Sequence, residues 1–361
     1  MNTLMIITGG LGTGGLERIS CFVANKFCEK GWRVIVLTLL QKNNDSKSFQ
    51  YLNQNVDVIS FDGPFDPLYN KKKAIKYWKR MIKHSTKLYK PDSILAMTFK
   101  IASMVCLFAP KYASRTTIRE ISDPKSKVRN RFVNMLTEIL CRNVKNVIFQ
   151  THWEKSCYRK RIQNKGEVIP NPLSIAVNIR GNYSVKKIFT LSRLLLNQKR
   201  QDVLIHGFEI FHRTHKDYYL EIYGKGDDKE KIEQMISKST CKDFIKIIKP
   251  EPNIHSRIIN YRCFALTSDF EGMSNALLEC YSLGIPCVSS DWPGVEDVVT
   301  KDVDGLIYKR QNAEDLALQL TRIAESDELC NNLTKNALLN SSRFDEKMII
   351  GKYCEVIERE Q

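Results

Sequence analysis

Apolar residues fall in short, almost unbroken runs along this chain, beginning with LMIIT at residues 4–8. A glycine-rich stretch follows. Leu16, Ile19, Phe22, Val23 and Phe27 then recur at helical spacing, and Gly31 sits just past the last of them. A second apolar run, RVIVLTLL (33–40), completes a strand, loop, helix, strand unit. Further runs come at VDVISF (56–61), SILAM (93–97), RTTIR (115–119) and NVIFQT (146–151). Between them lie helical patterns over 70–90, about 101–111, 127–141 and 153–161. Alternation of this kind predicts a parallel sheet with right-handed crossovers.

At VIPNPLS (168–174) two prolines bracket Asn171, which neither a helix nor a central strand accommodates. The domain linker is therefore expected at about 173–184. A second alternating series begins there. Strands are expected at KIFTLS, YYLEIYG, FIKII, CFALTS and PCVSS, and helices at about 199–214, 227–238, 253–259 and 274–283. An amphipathic segment, FDEKMIIGKYCEVIERE, closes the sequence. The reading is two domains, 1–172 and 173–343, with a last helix at about 344–361. Tandem α/β domains ordinarily take a ligand at the carboxyl ends of their strands, in the crevice between them.

The 361 residues suffice for two domains, and 43% hydrophobic with 27% charged residues describes a soluble globular chain. No apolar run approaches the roughly 20 residues that span a bilayer. The N-terminus has neither a basic segment nor a cleavage site, so a cytoplasmic protein without a signal peptide is expected. Eleven scattered cysteines without a C-x-x-C pair suit reduced core thiols better than disulfides or a metal.

Charge changes the picture more. Residues 1–172 hold 30 Lys and Arg against 12 Asp and Glu, and the remainder holds 26 against 28. A basic half points to a polyanionic partner, either a nucleic acid or an anionic membrane surface. The densest stretch, residues 70–90, carries nine Lys or Arg and no acid, and DPKSKVRNR (123–131) adds four more. Ile75, Trp78, Met81, Ile82, Leu88 and Tyr89 fall there at helical intervals. Such a helix suits the face of an anionic bilayer, or else packs on a sheet with its lysines solvated.

Glycines 10, 12 and 15 satisfy the G-x-G-x-x-G spacing of a dinucleotide loop. The second strand, however, runs out into Gln41, Lys42 and Asn43, with no acid for a ribose, and no Lys-Ser or Lys-Thr pair follows the glycines. The second domain is richer in candidate chemistry. Arg193 directly follows a strand, and Lys199 comes six residues later at the entrance to a helix. Two cations beside a helix N-terminus make a diphosphate site. IYGKGDD supplies another glycine turn. In LTSDFEGMSNALLECYSLGIPC, Glu271 lies on a loop before Gly272, and Glu279 lies inside the helix that Gly284 and Pro286 close. A carboxylate placed there can accept bonds from two ribose hydroxyls.

Together these stretches resemble the retaining glycosyltransferases of family 4. GGLER is similar to that family's amino-terminal glycine loop, IPNP to its Pro-Asn segment, and SRLLLNQKRQDVLIHGF to its Arg and Lys phosphate motif. YGKGDD is similar to its Gly-x-Gly turn, EGMSNALLE to its E-x7-E signature, and DGLIY to a late turn. The resemblance runs in order from residue 7 to about 308. It implies the GT-B architecture, two doubly wound Rossmann-like domains facing a cleft, with the last helix crossing back to the first domain. It further implies that Arg193 and Lys199 hold the donor pyrophosphate, that Glu279 holds the ribose, and that Glu271 with the amides of Met273 to Asn275 holds the sugar. Gly14, Gly15, Gly224 and Gly272 would join the donor site, with Ser274 beside it. Glu17, Arg119, Glu120 and Asp123 would face the acceptor.

Three positions depart from the family pattern. Ile121 stands at or beside a frequent histidine, Ser274 replaces a proline, and Glu296-Asp297 replaces a late Pro-Glu. The expected protein is a hexosyl- or N-acetylhexosaminyltransferase that needs no metal or other cofactor. It would move a sugar from a nucleotide donor, foremost a UDP-sugar, to a lipid-linked saccharide for O-antigen, capsule or lipopolysaccharide. It would work at the inner face of the plasma membrane, held there by residues 70–90. Two rivals stand beside it: a GT-B relative with other chemistry (an epimerase, a phosphorylase or an inverting transferase), and a basic nucleic-acid-binding protein. The second lacks any recognisable reading motif.

Overall fold

A computed structural model describes residues 1–11, 15–42, 52–61, 70–121, 131–173, 181–249, 251 and 254–359. The chain forms two compact units, one of Met1–Pro172 with Lys347–Gln361 and the other of Leu173–Glu346.

The first unit runs β1 (Thr3–Thr8), α1 (Gly15–Glu29), β2 (Arg33–Lys42), β3 (Asp57–Phe61), α2 (Lys71–Tyr89), β4 (Ser93–Ala96), α3 (Phe99–Phe108) and β5 (Thr116–Arg119). It continues with α4 (Arg131–Leu140), β6 (Asn146–Phe149), α5 (His152–Ser156), α6 (Lys160–Gln163) and β7 (Gly166–Val168). The strands are parallel, in the order β3-β2-β1-β4-β5-β6-β7. Their near-continuous apolar character follows from helices covering both faces. Successive side chains of β1 alternate between two cores. Met5 and Ile7 pack with Trp78, Ile82 and Phe99, whereas Leu4 and Ile6 pack with Ile19, Val23 and Phe27.

The second unit contains β8 (Val185–Leu191), α7 (Leu196–Lys199), α8 (Gln201–His212), β9 (Tyr219–Tyr223), α9 (Lys229–Lys238), β10 (Ile245–Ile248), α10 (Ile254–Ile258) and β11 (Tyr261–Leu266). It ends with α11 (Asn275–Ser282), β12 (Cys287–Ser290), β13 (Leu306–Tyr308), α12 (Ala313–Glu325) and α13 (Asp327–Asn340). Its parallel sheet has the order β10-β9-β8-β11-β12-β13. Both units thus contain the doubly wound order 3-2-1-4-5-6, the first with one further strand. The closing helix α14 (Glu346–Glu358) packs Ile349, Tyr353 and Ile357 into the α1 side of the first unit. Asn146 and Lys145 donate to the carbonyls of Val356 and Ile357 at 2.8 and 2.9 Å. They satisfy acceptors that the last helical turn leaves open.

Four sequence expectations change here. The helix expected at about 199–214 is α8, and a short helix not expected, α7, precedes it, the two meeting at Arg200, whose φ of 51° is left-handed. The segment expected as one helix at 153–161 is the short pair α5 and α6. Strands β7 and β13 and helices α12 and α13 add to the expected elements. Lastly, α2 buries Trp78, Met81 and Ile82 against the sheet, and the Trp78 indole donates to the Leu39 carbonyl at 2.6 Å. Ile75 and Leu88, expected on the same stripe, are 48% and 58% exposed. The apolar face of this helix is therefore a core face, and its lysines point to water. All eleven cysteines are free thiols, and among the described residues no helix is long and apolar enough to cross a membrane.

Candidate active site

The order of each sheet reverses between two neighbouring strands, β1 and β4 in the first and β8 and β11 in the second. Loops leaving the carboxyl ends of such a pair diverge to opposite faces and open a crevice between them. In the second unit these two loops carry Arg193 to Lys199 and Thr267 to Ser274, so the candidate residues separated by some 70 positions in sequence meet at the switch point.

The Lys199 ammonium lies 2.5 Å from Glu271 Oε1, with the two side chains 12% and 8% exposed. Ser268 donates to the same oxygen at 2.6 Å, and Thr267 donates to the Lys199 carbonyl at 2.7 Å. Ser290, at the end of β12, anchors the Ser268 carbonyl at 2.6 Å. A nearly buried carboxylate keeps its charge at tolerable cost only with such donors. Arg193 is exposed, and its guanidinium donates to Gln198 Oε1 at 3.1 Å. Gln198 in turn donates to the Phe270 carbonyl at 3.1 Å and accepts from the Asp269 amide at 2.8 Å. Gln198 thereby couples Arg193 to the Glu271 loop.

Lys199 ends the short helix α7 and stands two residues before α8, at the helix entrance expected. The break after it is held by Arg200, which binds Asp202 through Nε and Nη2 at 2.9 and 2.7 Å and Asp269 through Nη1 at 3.1 Å. A non-glycine residue in left-handed backbone carries a local cost of about 1–3 kcal/mol. The two aspartates offset that cost and fix the turn that aims Lys199 at Glu271.

Gly272 is half-buried, and Met273 and Ser274 are buried. Ser274 caps α11, its hydroxyl accepting from the Leu277 amide at 3.3 Å. A serine therefore suits the position where the family pattern has proline. Asn275 opens the helix, and Glu279 lies in its second turn. Glu279 Oε2 is 3.2 Å from His255 Nε2 on α10. The glycine turn after β9 packs against the Arg193 loop. A Cβ on Gly224 would stand 2.2 Å from the Ser192 carbonyl oxygen, and one on Gly226 would stand 2.3 Å from that of Leu194. Close backbone approach explains both glycines.

In the first unit, Gly15 is exposed at the start of α1, and Glu17 is half-buried in its first turn. Arg119 and Glu120 are both fully buried at the end of β5. Arg119 donates to Asn171 at 2.9 Å, and the Tyr158 hydroxyl donates to Glu120 Oε2 at 3.1 Å. Both side chains thus hold the loop ends of their own unit. Gly14 and Asp123 lie outside the described residues. Gln198, Ser268 and His255 went unnoticed in the sequence. Gln198, five residues from Arg193 and next to Lys199, was the one with a local signal.

Residues 178–339 match the model of the family "Glycosyl transferases group 1". An uncharacterized glycosyltransferase of Haemophilus influenzae is 20% identical over 94% of this chain and 95% of its own length. A Campylobacter jejuni N,N'-diacetylbacillosaminyl-diphospho-undecaprenol alpha-1,3-N-acetylgalactosaminyltransferase is 33% identical over 28% of this chain and 27% of its own. Among solved structures, Anabaena HepE in complex with UDP-glucose superposes with a TM-score of 0.80 at 16% identity, covering 99% of each chain. The protein is a glycosyltransferase with the GT-B fold.

Proposed function

We propose that the chain is a retaining transferase of the family 4 type, moving a hexosyl or N-acetylhexosaminyl group from a UDP-sugar to a lipid-linked saccharide. The observation that carries this reading is the Lys199–Glu271 pair at the switch point of the second sheet, with Glu279 eight residues further on. In the ligand-free pair one carboxylate oxygen, Oε1, takes both the lysine and the serine. A diphosphate draws Lys199 toward itself, and Glu271 is then open to sugar hydroxyls. Arg193 and Lys199 stabilise the charge that grows on the leaving diphosphate as the glycosidic bond to it breaks. Glu279, oriented by His255, holds the ribose. The amides of Gly272 to Asn275 complete the sugar site, and Gly224 shapes its wall.

The acceptor assignment draws on the Campylobacter relative, whose name specifies a lipid diphosphate acceptor, and the donor assignment on the UDP-glucose complex of HepE. The first unit is the acceptor side, with Glu17 and Asp123 as its candidates; Arg119 and Glu120, both fully buried, support the loops there. The basic surface of residues 70–90 holds the enzyme at an anionic membrane face in the cytoplasm, in the synthesis of a surface polysaccharide. Two protein cations already offset the diphosphate, so no metal is needed. The sequence Asp302-Val303-Asp304 has the D-x-D spacing of a cation site, but Asp302 binds Arg322 at 2.7 Å, and Asp304 accepts from Thr300 and Asn340, both at 2.7 Å.

The test is release of nucleoside diphosphate from UDP-, GDP- and ADP-sugars, with and without a lipid-linked acceptor, followed by NMR of the product's anomeric centre. Inverted configuration overturns retention. Turnover with GDP- or ADP-sugars alone overturns the donor.

A further inference from the structure

Two turns of the second unit meet on one carboxylate. Among the described residues, five other than glycine have left-handed backbone, and Arg200 and Gln311 are two of them, with φ of 51° and 61°. Glycine takes this conformation freely, whereas any other residue there is strained. Both positions carry long side chains instead, and both side chains end on Asp269 Oδ2, Arg200 through Nη1 at 3.1 Å and Gln311 through Nε2 at 2.9 Å. They come from separate loops, one between α7 and α8 and the other between β13 and α12. Arg310 extends the second contact. Its Nη1 donates to the Asp269 carbonyl at 2.9 Å, and its amide and Nε donate to Asp291 Oδ1, just beyond β12, at 2.8 and 2.9 Å. The Asp269 amide donates to the Gln198 carbonyl at 2.8 Å. Asp269 is thus held at its amide, its carbonyl and its carboxylate. It stands between Ser268 and Glu271, in the loop that brings Glu271 to Lys199.

Glycine at both turns would relieve the strain and leave the Asp269 loop loose. The long side chains keep the strain and fix the loop, which points to a geometric task. In the ligand-free site the Lys199–Glu271 ion pair also ties this loop down. A diphosphate that draws Lys199 to itself removes that tie at the moment when Glu271 must be in place. We propose that Arg200, Gln311 and Asp269 form a clasp that keeps the Ser268–Glu271 loop in position once Lys199 has turned to the diphosphate. The three are positioning residues, acting through Lys199 and Glu271. Their effect is preorganisation: the carboxylate and the cation stand ready on opposite sides of the bond that breaks. The role in transfer rests on the reading given under Proposed function, whereas the fixing of the loop does not.

The test is Arg200→Gly/Gln311→Gly in the full chain, because glycine suits both backbones and only the side-chain contacts are lost. Asp302→Gly is the control. It relieves a third left-handed residue, with φ of 59°, and removes an ion pair of the same unit, to Arg322 at 2.7 Å, on the turn that precedes β13. With the nucleotide sugar that the wild type turns over, the double variant is expected to lower kcat by about 10- to 100-fold and to keep donor KM within about threefold. The control is expected to keep both. Hydrogen exchange reads the loop without turnover: peptides covering 267–275 should exchange faster in the double variant and at the wild-type rate in the control. Circular dichroism at the assay temperature checks folding. If the double variant is unfolded, Gln311→Gly alone, at an exposed position, gives the same test with the same signs. Unchanged kcat in the double variant, an equal fall in the control, or a rise in KM alone overturns the clasp. A wild-type chain that turns over no nucleotide sugar overturns the transfer reading instead. Exchange at 267–275 then decides the clasp by itself, faster exchange in the double variant supporting it and equal exchange overturning it.

Discussion

The two units share a strand order, yet they handle charge in opposite ways. In the second, cations are matched within the fold: Lys187 with Glu221, Lys199 with Glu271, Arg200 with Asp202 and Asp269, and Arg262 with Asp327. In the first, residues 1–172 hold 30 basic against 12 acidic side chains, and the exposed cations of α2 make no ion pair among the described residues. Matched charges act over a few ångströms and set geometry. Unmatched ones act out to a Debye length, roughly 8 Å at physiological salt, and set what approaches. One sheet plan therefore supports a site that does local chemistry and a surface that attracts from a distance.

The largest effect should confirm that α2 is structural as well as basic. Trp78→Ala is expected to destabilise the first unit by about 3–5 kcal/mol. Hydrogen exchange should quicken in peptides of β1, β2 and α3 and stay unchanged in β8 to β12. Uniform quickening would dissolve the distinction between the units. Next in size, Arg193→Ala and Lys199→Ala should each lower kcat by about two to three orders of magnitude, the loss of one charge stabiliser of the transition state. A fully active Arg193→Ala protein would remove the donor site from the second unit.

Glu279→Ala should raise the donor KM by roughly 10- to 100-fold with little change in kcat, as loss of a charged hydrogen bond made equally before and during reaction. His255→Ala should move KM the same way by less. A fall in kcat without a change in KM would reassign the pair. Acid sharpens the contrast further. Glu221 is buried, which alone raises its pKa, but hydrogen bonds from Lys187, Tyr223 and Tyr261 outweigh this and hold it below its ordinary value of 4.5. Its folded pKa is depressed, so its contribution is complete above about pH 4.5 and is lost as pH falls below that value. Urea unfolding of the second unit should weaken on acidification, and less so in Glu221→Gln. The smallest effect is none at all: excess EDTA should leave turnover unchanged, and loss restored by manganese would refute this.

The strands were legible because a parallel strand covered on both faces must be apolar throughout, which leaves a dense local signature. The positions of Lys199 and Glu271 beyond strand ends, and of Glu279 within a helix, were legible through spacing. The break at Arg200 was not, because its left-handed backbone is held by Asp269, distant in sequence. His255 was equally hidden, since nothing near it announces Glu279 on another helix. Ile75 and Leu88 show the limit of periodicity. They share the helical interval of Trp78, but the packing of α2 on the sheet decides how wide its buried stripe is. Strand β13 is three residues long, too short to carry a pattern.

Helix α14 has a consequence for synthesis. The first unit is complete only when residues that follow the whole second unit have been made, because Ile349, Tyr353 and Ile357 belong to its core. On the ribosome, β1 to β7 must wait through some 170 further residues with the part of the α1 side that α14 covers still exposed. The second unit can fold meanwhile, as one uninterrupted segment. A nonsense codon just before α14 would thus yield a protein whose second unit is whole and whose first unit is missing part of its core, although the lesion lies beyond the second unit.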